Sequence, residues 1–188
     1  RGHELRRGGH LPEAILAYNQ AVSQAPEHAP AHMALGNVLF AVGETQRAAR
    51  SYAVAAALEP KDDQPHTNLC NAFRVLGELD GAVEACNAAL SLNPQRQITY
   101  VNLGNALSAR GEDAAAVRAY TTAISLDPTD HLAYTNLGSA LLAAKRLVPA
   151  MRAYERAIEL QPAFAVAHTN LGNARKAAGD LAGAVESY

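Results

Sequence analysis

Proline recurs at Pro26, Pro60, Pro94, Pro128 and Pro162, and every interval is 34 residues. Leu35, Leu69, Leu103, Leu137 and Leu171 keep the same interval. So do Gly2, Gly36, Gly104, Gly138 and Gly172, with Cys70 standing in once. Three columns in one register define a tandem array, and a period of this size marks units that are each one supersecondary element. Such a unit cannot bury its apolar face alone, so neighbours must stack.

Inside one period the spacing is helical. Tyr100, Leu103, Gly104 and Leu107 fall at i, i+3, i+4 and i+7 on one face, and Ala116, Val117, Tyr120, Ala123 and Ile124 repeat the pattern in a second helix. Between them stands Gly111, with counterparts at Gly9, Gly43, Gly77 and Gly179. Glycine just past a helix end adopts left-handed backbone at little cost and stops the helix. The second helix ends before a proline, as at Asp127-Pro128. Lys145 occupies the glycine place in one repeat, where left-handed backbone costs on the order of 1 kcal/mol, so an altered turn is expected there. Pro149 follows within a first helical turn, where proline is tolerated. Ala116, Ala150 and Ala184 are expected to face the glycine column, with Tyr120, Tyr154 and Tyr188 filling space between hairpins.

Taken in order, an aromatic-like residue, Leu-Gly, Gly, Ala, Tyr, Ala and Pro at this spacing resemble the tetratricopeptide repeat, and the resemblance covers the whole chain. It implies an all-α fold: a right-handed superhelical solenoid of helix-turn-helix hairpins, about five and a half repeats in one array over residues 1–188. Counting from the third residue after each proline gives a partial repeat 1–28, complete repeats 29–62, 63–96, 97–130 and 131–164, and a partial repeat 165–188. Neither end carries a polar capping helix, so a fragment of a longer array is expected, whose uncapped apolar ends associate end to end.

Composition narrows the function classes. Sixteen Lys+Arg against eighteen Asp+Glu supply no basic face for phosphates, which argues against nucleic acid. No apolar run reaches the roughly 18 residues of a membrane span. Two cysteines, Cys70 and Cys86, replace the Gly and Tyr columns of one repeat and read as packing thiols, consistent with a reducing, cytoplasmic setting. His32, His66 and His168 share the register place of Tyr100 and Tyr134 on separate hairpins, and so read as core or edge residues, not metal ligands. No phosphate loop, activated nucleophile or paired carboxylates stand outside the repeat pattern, so neither an enzyme nor a cofactor is expected within these residues.

The candidate site lies on the first helices, which the resemblance places along a concave face. The sixth position reads Ala34, Asn68, Asn102, Asn136 and Asn170, and the ninth reads Asn37, Asn71, Asn105, Ser139 and Asn173. Asparagine is mildly unfavourable inside helices, yet here it recurs in register. A carboxamide offers an acceptor and two donors, so it can bond both polar groups of a passing main chain. The ladder resembles the asparagine-lined superhelix of the protein O-linked N-acetylglucosamine transferases, which implies a protein or extended-peptide partner and a substrate-recognition array. The carboxylate-clamp repeats that hold acidic chaperone tails need cations at the second and fifth positions. Here Pro30, Gln64, Ile98, Leu132 and Val166, and Met33, Thr67, Val101, Thr135 and Thr169, occupy them. Two alternatives remain beside the peptide-holding groove: a self-assembling scaffold, or a regulatory arm of an enzyme whose chemistry lies elsewhere.

Overall fold

The 34-residue period folds as the predicted helical hairpin. A computed structural model describes residues 10–188, and all the regular structure in them is helical. It divides into two compact units, one ending at Pro94 and one beginning at Gln95.

The first unit contains α1 (Leu11–Gln24), α2 (Ala29–Ala41), α3 (Thr45–Leu58), α4 (Asp63–Leu76) and α5 (Leu79–Leu92). The second contains α6 (Gln97–Ala109), α7 (Asp113–Leu126), α8 (His131–Ala143), α9 (Leu147–Leu160), α10 (Ala165–Ala177) and α11 (Leu181–Ser187). From residue 29 on, each first helix starts on the residue that opens its repeat, while the start of the partial repeat 1–28 lies outside the described residues. Asp62 and Asp130 fix two of those starts by accepting hydrogen bonds from the backbone N–H of Gln64 and of Leu132 and Ala133. In the first unit Ala14, Tyr18, Leu35, Val38, Leu39, Ala48 and Tyr52 share one core cluster; in the second, Leu141, Ala150, Tyr154 and Leu171 do. No helix among the described residues is long and apolar enough to cross a membrane.

Three expectations need correction. The turn at Lys145 is not altered: Lys145 adopts φ 59°, beside 79–85° at Gly43, Gly77, Gly111 and Gly179. Its N–H and that of Arg146 bond to Leu142 and Leu141, as those of Gly111 and Glu112 bond to Ser108 and Leu107. The hairpin closure overrides the local preference of lysine.

The nearest atoms over the glycine column are those of the tyrosine rings, which lie on it within their own hairpins and do not merely fill space between hairpins. A Cβ at Gly36, Gly104 or Gly138 would stand 2.5 Å from Cε1 of Tyr52, Tyr120 or Tyr154, so only glycine lets the ring lie against the helix backbone.

The third correction concerns Cys70 and Cys86. They are a disulfide, with Cα atoms 5.2 Å apart, not two packing thiols. The two columns they occupy touch at Gly36–Tyr52, Gly104–Tyr120, Gly138–Tyr154 and Gly172–Tyr188, which is why sulfur meets sulfur here.

Candidate functional site

Side chains at the sixth and ninth positions are tied to one another through tyrosine. In the first unit the Tyr52 hydroxyl donates to Oδ1 of Asn37 at 3.0 Å, and Nδ2 of Asn68 donates to the same oxygen at 3.1 Å. The second unit repeats the arrangement 68 residues on. Tyr120 donates to Oδ1 of Asn105 at 2.7 Å, and Asn136 donates to it at 3.3 Å. Tyr188 donates to Asn173 at 2.8 Å, and Tyr154 to Oγ of Ser139 at 3.2 Å.

These bonds set the direction of each carboxamide. Because Oδ1 of Asn37 and Asn105 faces inward to two donors, their Nδ2 groups are turned away from the tyrosine. Asn68 and Asn136 spend one N–H on the relay and keep Oδ1 clear of it. Within each unit a donor therefore stands beside an acceptor, the pair of functions a peptide main chain requires. Burial pushes the Tyr52 hydroxyl up to about 12, so it stays a donor at neutral pH. Tyr154 is raised by burial too, against the lowering effect of its bond with Ser139.

The hairpin with the disulfide departs from this scheme. It has no tyrosine at the place of Cys86, and Nη2 of Arg74 donates to Oδ1 of Asn71 at 2.9 Å instead. Asn102 and Asn170 are half-buried, and neither makes a side-chain hydrogen bond with a described residue. Every sequence-predicted asparagine thus sits on a first helix in register. Asn37 with Asn68, and Asn105 with Asn136, are brought into contact; Asn102 and Asn170 keep both carboxamide functions available.

Two features were not anticipated. One is the tyrosine relay, signalled only by the constant 15-residue offset between the ninth-position side chain and its tyrosine. The other is the second position. Pro30 and Gln64 line a hollow of about 250 Å³ in the first unit with Ala34, Asn37 and Glu59. In the second unit the same register holds Ile98, Leu132 and Val166, each about half exposed. Successive first helices α6, α8 and α10 touch, so these three side chains form a row along one face. His32 and His168, by contrast, bond through Nε2 to the carbonyls of Pro26 and Pro162 at 2.9 Å and belong to the turns.

Models described as tetratricopeptide repeat match residues 1–65 and 131–164, and one described as TPR repeat matches 104–144, together more than half of the chain. The chain belongs to the tetratricopeptide repeat family. No curated protein matches it in sequence. Solved tetratricopeptide structures share the fold. MamA aligns with TM-score 0.79 at 25% identity, over 86% of this chain and 94% of its own. PilW, titled a widely conserved type IV pilus biogenesis factor, aligns with TM-score 0.90 at 17% identity, over 99% and 86%. YrrB, titled a TPR protein with an unusual peptide-binding site, aligns with TM-score 0.72 at 22% identity, over 91% and 88%. Tetratricopeptide scaffolds of this kind serve protein–protein interaction, and that is the general role of this chain.

Proposed function

We propose that the first-helix face holds an extended polypeptide by its main chain. What carries this reading is a pairing repeated within each unit: tyrosine fixes Asn37 and Asn105 as donors, and Asn68 and Asn136 stand beside them as acceptors. Main-chain recognition tolerates many sequences, and the apolar row of Ile98, Leu132 and Val166 adds a preference for apolar side chains on one edge of the peptide. The titled peptide-binding site of YrrB is in keeping with this role. On the narrower reading suggested by the asparagine ladder, the groove is the substrate-recognition array of a protein O-glycosyltransferase whose chemistry lies outside this chain. A cytoplasmic location, end-to-end assembly and a regulatory role draw no comparable support from the site geometry.

The test uses Asn102 and Asn170, which make no side-chain hydrogen bond with a described residue. Changing both to Ala removes several main-chain contacts and weakens binding of an unstructured, uncharged peptide by about 1–3 kcal/mol. Alanine is the better helix former, so the melting temperature stays level or rises slightly. Binding measured by calorimetry and found unchanged in the double variant would remove the carboxamide row from peptide recognition.

A further inference from the structure

Four glycine–tyrosine contact pairs among the described residues are each 16 residues apart: Gly36 with Tyr52, Gly104 with Tyr120, Gly138 with Tyr154 and Gly172 with Tyr188. Cys70 and Cys86 are also 16 apart, and replace both members of one pair together. Neither replacement works alone. A cysteine Cβ at the glycine place would collide with the ring, as the 2.5 Å spacings in the sister hairpins show, and a cysteine at the tyrosine place would leave the ring volume empty over glycine. Only the double change restores contact, and at a Cα separation of 5.2 Å it does so by a covalent bond.

We propose that the α4–α5 hairpin is an oxidation-dependent element, in which the Cys70–Cys86 bond takes the place of the tyrosine wedge, and that the chain works in an oxidising compartment. Both cysteines are wholly buried, so the bond forms before the hairpin packs and is shielded from thiols afterwards. In the forming step the two thiols lose two protons and two electrons as the sulfur–sulfur bond is made. A disulfide oxidant takes them up by exchange and leaves as two thiols. A thiol-rich compartment drives the same exchange backwards on chains not yet packed and on hairpins that have transiently opened. The reduced hairpin then has neither a ring nor a cross-link between its helices.

The experiment starts with alkylation of the purified, denatured protein after production in an oxidising host. No free thiol is expected, and two free thiols overturn the proposal. Reducing the bond, with loss confirmed by alkylation, lowers the melting temperature by roughly 5–10 °C, and hydrogen exchange rises first in residues 63–92. The double variant Cys70→Gly, Cys86→Tyr rebuilds the sister contact. It keeps the helical spectrum, and its melting temperature is the same with and without reductant. Wild-type protein that melts unchanged after confirmed reduction shows the bond to be dispensable and the inference wrong.

Discussion

Tyr120 serves the core and the groove with one side chain. Its ring lies on Gly104, and its hydroxyl reaches through the hairpin to Oδ1 of Asn105. Removing only the hydroxyl, Tyr120→Phe, keeps the ring packing and costs about 1 kcal/mol in chemical denaturation. It also leaves Oδ1 of Asn105 held by the longer bond from Asn136 alone, so the carboxamide is less firmly oriented and peptide affinity falls several-fold; an unchanged dissociation constant would detach the relay from binding. Tyr52 adds a pH dependence. Its hydroxyl ionises near 10 in the unfolded chain and is pushed up to about 12 in the folded one. The folded state therefore holds the proton over a range where the unfolded state has released it, and stability falls as pH rises. The contribution is complete below about pH 10 and disappears on passing about pH 12. Thermal melts between pH 9 and 12 should show this loss, at roughly those limits, and Tyr52→Phe should show less of it.

At the scale of the hairpin, the turn between helices is a fixed frame into which the residue must fit. Lys145 accepts φ 59° because the hydrogen bonds to Leu142 and Leu141 hold the closure. Lys145→Gly relieves the left-handed strain but adds freedom to the unfolded chain, leaving a net gain of about 0.5–1 kcal/mol in denaturant unfolding. A loss of stability would mean that lysine makes an unrecognised contact there. The helix boundaries were legible in the sequence, because proline, glycine and the apolar period act within one or two turns. Thus α2, α4, α6, α8 and α10 begin at Ala29, Asp63, Gln97, His131 and Ala165. The disulfide was not legible from Cys70 and Cys86 alone. It becomes so only once the glycine and tyrosine columns are known to touch, which is a fact of packing between two helices. The asparagine register was likewise plain, but the bonds from Asn68 to Asn37 and Asn136 to Asn105 depend on side-chain rotation across repeats, which no spacing encodes.

For the molecule as a whole, the charge pattern separates the proposed mode of binding from its electrostatic rivals. The formal net charge is only -2, from near-equal numbers of acidic and basic residues. Ion pairs such as Arg47–Glu44 and Arg156–Glu159 have both partners largely exposed, where a pair contributes about 0–1 kcal/mol and little long-range field. The first-helix face presents carboxamides and the apolar row of Ile98, Leu132 and Val166, and its charges are few: Arg74 is engaged by Asn71, and Asp62 caps α4. Binding through such a face depends on hydrogen bonds and apolar contact, neither of which salt screens. Raising sodium chloride from about 0.05 to 0.5 M shortens the Debye length from roughly 14 to 4 Å. The dissociation constant for an uncharged extended peptide should nevertheless change by less than about twofold, because no paired charge is being screened. A peptide grip built on ion pairs would weaken many-fold over that range. Titration calorimetry at the two salt concentrations distinguishes the cases, and a steep salt dependence would contradict main-chain recognition by the carboxamides.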